Sequence, residues 1–313
     1  MAEASAAGLL SGRVAARGTS DPGRDLARRE RSFAAALLAP AFVVLMATTT
    51  FPLMYLVWTS AFRIDLAMPF ADGYVGLANY RDILADARFW SSLGVSLVYT
   101  GTTVALQLVI GLALALFVMR MKRGQALFRL VAILPVVLSP AVVGMVWRTF
   151  MLAPEFGVVD YLAITAGLGS RNWLGDPTLA LVSVVAIHTW QWAPFAFMVL
   201  LASLAALPED IYEAARLDRA NAWQRFRRIT LPLLRPAIVM VVIMRTMVAL
   251  TAFAAIFTVT GGGPGTATEI LNLYVYRKSF TELSIGYGAA LAVALLIVTI
   301  LISAVLFLVR RAR

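Results

Sequence analysis

Long uncharged apolar runs alternate with charged segments along the whole 313-residue chain. A membrane-spanning helix needs about 20 apolar residues. Runs of that kind occupy residues 33–62, 89–119, 130–147, 179–207, 237–260 and 283–309. The first two carry no charge, the fourth holds only His188 and the fifth only Arg245. This pattern predicts an all-α polytopic membrane protein with six transmembrane helices. Residues 1–32 are rich in Ala, Arg and Gly and are expected to form a poorly ordered tail. Residues 33–309 form the transmembrane domain, and 310–313 a short second tail. The first run is long enough to span, so it reads as an uncleaved helix rather than a signal segment.

Basic residues orient the bundle. With both termini cytoplasmic, the inner segments 1–32, 120–129, 208–236 and 310–313 hold 19 Lys/Arg and the outer loops 7, while acidic residues divide 8 against 9. Only Lys and Arg carry the bias, as the positive-inside rule requires. Composition agrees: 61% of residues are hydrophobic, 14% are charged and mean hydropathy is +0.83. The net charge of +10 is therefore assigned to cytoplasmic loops and not to a nucleic-acid partner. With no cysteine, disulfides and thiol chemistry are excluded.

Polar residues concentrate in one inner loop, 208–236, between the fourth and fifth spans. Glu209 and Asp210 follow Pro208 at a helix start, where acidic side chains favour the positive dipole end. Ile211, Ala214, Ala215 and Leu217 give a short apolar side, and Trp223 and Phe226 a second one. Pro232 is expected to break the helix that follows. Read on its own, the segment is either a docking element or an amphipathic helix lying on lipid. Gly111, Ala113 and Ala115 predict close helix approach in the second span, and Pro52, Pro135, Pro140 and Pro194 predict kinks.

The spacing Glu213-Ala214-Ala215, then Ile229-Thr230-Leu231-Pro232, resembles the EAA loop of binding-protein-dependent ABC import permeases. Further similarity lies in Leu134-Pro135 with Pro140 and Trp147, Phe156-Gly157 with Asp160, and Trp173-Leu174-Gly175. Trp190-Gln191-Trp192-Ala193-Pro194-Phe195 and Thr260 to Gly265 with Thr268-Glu269 extend it. The likeness covers residues 39–313 and is nearest the maltose-type carbohydrate permeases. It implies a cytoplasmic coupling helix between spans 4 and 5, with Glu213, Ala214, Ala215, Asp218, Arg219, Trp223 and Phe226 at the ATPase contact. It also implies a second homologous permease subunit, an ATPase dimer that binds ATP and Mg, an extracytoplasmic solute-binding protein, and a bacterial cytoplasmic (inner) membrane. One position departs from the pattern, since Arg219 stands where the family carries glycine. A left-handed bend there would cost on the order of 1 kcal/mol.

The chain offers no chemistry of its own. It has no G-x-x-x-x-G-K-[S/T] signature, and its glycine-rich stretch at 261–265 lacks the lysine. No metal cluster, nucleophile–base set or carboxylate pair is present, so a non-catalytic permease subunit without a cofactor is expected. Polar and aromatic residues inside spans are the candidate pathway: His188, Trp190, Gln191, Trp192, Arg245, Thr246, Thr251, Phe253 and Phe257. Phe253 and Phe257 are expected on one helix face, with Arg245 and Thr246 two turns earlier. The same residues also suit ordinary packing, and Arg245 suits snorkelling to the inner interface. A sugar, polyol or related carbohydrate is the expected cargo. The alternatives are an anionic sugar or glycerol derivative, and an ion-coupled secondary transporter. The last would require intramembrane carboxylates and an internal repeat, neither of which the sequence shows.

Overall fold

The computed structural model describes residues 22–311, and most of them are helical. In chain order the helices are α1 (Pro22–Ser60), α2 (Ala78–Ala85), α3 (Ala87–Arg120), α4 (Gln125–Val137), α5 (Pro140–Val146), α6 (Val158–Thr165) and α7 (Pro177–Ala205). Then follow α8 (Glu209–Leu217), α9 (Ala222–Arg225), α10 (Leu231–Leu250), α11 (Ala254–Val259), α12 (Leu271–Tyr276) and α13 (Ile285–Arg311). Residues 1–21 of the expected N-terminal tail lie outside the described residues, and α1 begins at Pro22, ahead of the expected start at Phe33. The described residues divide into two separate units, one ending at Tyr55 and one beginning at Leu56.

Among the described residues five helices are long and apolar enough to cross a membrane, or six if a bent pair counts as one span. That pair is the expected third span. It runs as Gln125–Val137 and Pro140–Met151 at 94° to one another. Pro140 takes a first-turn position, where its missing N–H leaves no intrahelical bond unmade, so a new helix starts there. The fifth span also differs from expectation. Helix continues unbroken from Ala222 through Pro232 to Leu250, with a π turn at Phe226–Thr230 directly ahead of Pro232. It then stops, and α11 starts afresh at Ala254. Pro232 therefore does not break the helix, and the break comes instead at residues 251–253.

The centre is α3 packed along α7, with α10 against both. Gly111 permits this approach: a Cβ there would sit 2.7 Å from the Ala196 Cβ and from the Phe197 backbone nitrogen. Ala115, Val118, Ala196, Phe197 and Leu200 are fully buried around that contact. Asp86 and Asp176 cap α3 and α7 by accepting from the Arg88 and Leu179 backbone nitrogens, at 2.9 and 2.8 Å. The half-helices α5 and α11, each following a break, pack on one another. Gly144 makes this possible, since a Cβ would stand 1.9 Å from Thr258 Oγ1.

Candidate functional site

The charged loop forms a two-helix knuckle, α8 then α9. Its bend falls on Arg219, which takes the left-handed conformation at φ +57°. The position that holds glycine in the resembling family thus does require αL geometry, and here an arginine adopts it. Ala220 N donates to Ala215 O at 2.9 Å to close the turn. Asn221 and Gln224 then form a capping box, each side chain bonded to the other's backbone nitrogen at 2.8 Å. Two bonds tie the knuckle down: Tyr212 Oη to Thr230 Oγ1 at 2.9 Å, and Arg225 Nη1 to Ala220 O at 2.7 Å.

Those ties turn one face inward and leave another outward. Ala215 is buried, while Glu213, Ala214, Leu217, Asp218 and Arg219 are exposed. The Trp223 and Phe226 rings pack at a tilt, 5.7 Å between centroids. Both line a cavity between the knuckle and the ends of α3 and α7, so they are not on the face that carries Glu213.

Inside the bundle a polar cluster joins three helices. Arg245 on α10 is only 2% exposed, which overturns the snorkelling expectation. Its Nε donates to Gln107 Oε1 on α3 at 2.8 Å, and its guanidinium lies 4.4 Å over the Trp192 ring on α7. Gln107 Nε2 meets His188 Nδ1 at 3.3 Å, and Tyr99 packs on His188 at 5.3 Å between centroids. Arg245 Nη2, Tyr99 Oη, Thr100 Oγ1 and Thr189 Oγ1 are buried without a hydrogen-bond partner among the described residues. Thr246 is buried beside Arg245. Sequence reasoning missed Gln107 and Tyr99. Gln107 had a signal, being the only amide in an otherwise apolar run of residues 89–119.

Two amides brace the broken spans. Gln191, fully buried, donates from Nε2 to Leu138 O at 3.0 Å, where α4 ends. Asn272 donates to Thr251 O at 3.0 Å, where α10 ends. Each satisfies a carbonyl that the break has stripped of its helical donor. Gln191 Nε2 is thus engaged on the backbone, while its Oε1 is buried without a hydrogen-bond partner among the described residues. Thr251 Oγ1 bonds back to Met247 O at 3.1 Å.

Phe253 and Phe257 do share a face, with rings stacked at 5.2 Å. The break separates them from the helix carrying Arg245 and Thr246, which corrects the expected alignment. Tyr276 packs on both, at 5.0 and 5.3 Å, and Phe280 continues the ladder at 5.4 Å. Trp147 and Trp190 meet edge to face at 5.5 Å.

Near the opposite end from the knuckle, Glu269 is fully buried between two arginines. Arg88 approaches it through Nε and Nη2 at 2.8 and 2.7 Å, and Arg277 through Nη1 at 2.6 Å. Asp160, also buried, accepts from Ser170 Oγ, the Arg171 and Glu155 backbone nitrogens and Trp173 Nε1, all at 2.6–2.8 Å. The Ser170 hydroxyl and Arg171 amide, with the other two donors, hold its pKa down to about 2. Among the described residues no group of three His, Asp or Glu side chains is placed to hold a metal ion.

The described residues form a bundle of helices long and apolar enough to cross a membrane, with an exposed two-helix knuckle at one end. Residues 107–313 match the family of binding-protein-dependent transport system inner membrane components, and the chain belongs to that family. It is a permease subunit and not an enzyme. It is similar to the trehalose/maltose transport system permease protein MalF of Thermococcus litoralis, 32% identical over 88% of this chain and 92% of that relative. It is also similar to the sulfoquinovosyl glycerol transport system permease protein SmoG of Agrobacterium fabrum, 34% identical over 88% of this chain and 89% of the relative. Among solved structures, a chain of a bacterial ABC transporter involved in alginate import has the same fold. Its TM-score is 0.79 at 22% identity, covering 93% of this chain and 98% of the other.

Proposed function

We propose that this chain is one transmembrane subunit of an ABC importer for a sugar, polyol or related small carbohydrate. It sits in a bacterial cytoplasmic membrane with both termini inside. A solute-binding protein delivers the ligand from outside, and a second permease completes the pathway. A separate ATPase dimer binds ATP and Mg. Its closure pushes on the knuckle, and the push reaches the spans. The observation that carries this reading is the α8–α9 knuckle, which places Glu213 and Ala214 at an exposed surface while Tyr212 bonds to Thr230, the residue directly before α10, and Arg225 braces the turn through Ala220 O. The names of the similar permeases support the cargo class. The aromatic ladder from Phe253 to Phe280 suits the apolar faces of sugar rings.

Glu213→Lys tests the coupling. In the purified, complete importer it should abolish ATP hydrolysis stimulated by loaded binding protein, with the subunits still assembled. Stimulation at the wild-type level would overturn the docking role. Uptake by this chain alone under a proton or sodium gradient would favour a secondary transporter instead.

One observation favours an anionic cargo as a second reading. Arg245 is a buried cation whose Nη2 has no partner, and no carboxylate lies within 4.0 Å of it among the described residues. A sulfonate, phosphate or uronate group would supply the missing countercharge.

A further inference from the structure

A cavity of about 780 Å³ opens where the ends of α3 and α7 meet the knuckle. Its lining divides by chemistry. The span ends supply Leu116, Leu204 and Leu207, all part of or packed against the buried cluster around Phe197 and Leu200. Arg120, which ends α3, and Arg216 and Arg225 from the knuckle supply three positive charges against one carboxylate, Glu209. Among the described residues none of the three guanidinium groups lies within 4.0 Å of a carboxylate. Arg225 is pinned by its bond to Ala220 O, so its charge cannot swing away.

The cavity and the exposed tip are different faces of α8. Glu209, Tyr212 and Arg216 line the cavity, spaced three and four apart as one helical stripe. Glu213, Ala214 and Leu217 do not line it. An ATPase seated on the tip would leave the cavity unfilled. Its position fits something from the bilayer: apolar where the spans end, cationic where the polar loop begins. A phospholipid has the same division. A net positive lining selects an anionic headgroup over a zwitterionic one, whose ammonium would meet like charge.

We propose that this cavity holds one anionic phospholipid, its phosphate among Arg120, Arg216 and Arg225 and an acyl chain along Leu116, Leu204 and Leu207. The lipid then bridges the span ends and the knuckle. The leaflet's composition thereby acts on the element that transmits force. This holds whether or not Glu213 proves to be the coupling contact.

The test uses the complete importer, purified from bilayers of equal phosphatidylglycerol and phosphatidylcholine, with retained lipids counted by native mass spectrometry. Wild type should retain phosphatidylglycerol preferentially. Arg120→Gln with Arg216→Gln should weaken that retention about 25-fold, roughly fivefold per arginine. Both side chains are exposed, and thermal unfolding checks that the variant is folded. Leu207→Trp, which fills the apolar part and leaves the arginines intact, should also expel the lipid. Equal retention of both lipids, or unchanged retention in both variants, would overturn the proposal. Two controls bear on the occupant. Inorganic phosphate that protects the Arg216 region from hydrogen exchange as well as phosphatidylglycerol does would make this a soluble phosphate site. Retention by the permease pair that vanishes on adding the ATPase would mean the ATPase fills the cavity. Either result would also refute the lipid assignment.

Discussion

Arg245 Nε donates to Gln107 Oε1 at 2.8 Å, joining α10 to α3 through the only amide that α3 carries in its apolar stretch. A buried cation without a carboxylate is expensive to keep, so what this bond and the Trp192 ring do not offset must be offset by something else. Removing such a charge also removes its desolvation cost. Arg245→Gln is therefore expected to assemble at near wild-type yield. If the cargo is anionic, uptake of an acidic sugar should fall about tenfold or more, with neutral-sugar uptake by a matched system unaffected. Yield and uptake measured on the same preparations separate the outcomes. Lost yield would show the arginine to be structural.

Gln107→Leu removes the acceptor and leaves the charge. The stranded guanidinium should destabilise the assembled importer by about 2 kcal/mol. Thermal unfolding should show this. Adding Arg245→Gln to the same chain should recover most of the loss, since the two residues form one network.

Arg219→Gly should relieve the left-handed backbone at the knuckle. An arginine at φ +57° costs about 1–2 kcal/mol, and glycine's extra unfolded-state freedom returns about 0.5–1 of that. The net gain is at most about 1.5 kcal/mol, visible as slower amide exchange across the turn. Faster exchange would mean that the arginine side chain holds the bend.

Glu269→Gln should leave Arg88 and Arg277 facing each other without their shared carboxylate. Both arginines are about a third exposed, 35% and 28%, so solvent screens part of the repulsion. The expected loss is about 2–3 kcal/mol, below that for a fully buried pair. It should appear as lower thermal stability.

Asp160 gives a pH signature. Its folded-state pKa of about 2 lies below the unfolded carboxylate value of about 3.9. The stabilisation is thus complete above about pH 4 and is lost as pH falls toward 2. Protection of the Glu155 and Arg171 amides, both bonded to this carboxylate, should decline over that window. In Asp160→Asn it should be low throughout.

The spans were legible because charge and hydropathy act locally, and every apolar run returned as helix. The knuckle was legible for the same reason, through Pro208, Glu209 and Asp210. The two breaks were not equally so. Pro140 marks the first, but residues 251–253 hold no proline or glycine, and the Asn272 amide that braces them lies about twenty residues on. Gln191 looked like a pathway residue because amides in spans are informative. Its partner proved to be a backbone carbonyl left open by a bend that periodicity does not show. Gln107 was marked as the only amide in its span, but its partner Arg245 lies more than a hundred residues on, and Tyr99 meets His188 only in the folded bundle.

The two interrupted spans alter how the bundle can carry a load. An uninterrupted helix moves end to end as a strut. Here α10 leads away from the knuckle and stops, α4 stops likewise, and α5 and α11 begin anew, interlocked where Gly144 admits Thr258. Each joint is bridged by a side-chain amide, Gln191 or Asn272, and not by a helical turn. A displacement entering at the knuckle can therefore be taken up as rotation at two elbows, while the interlocked pair beyond them keeps its shape.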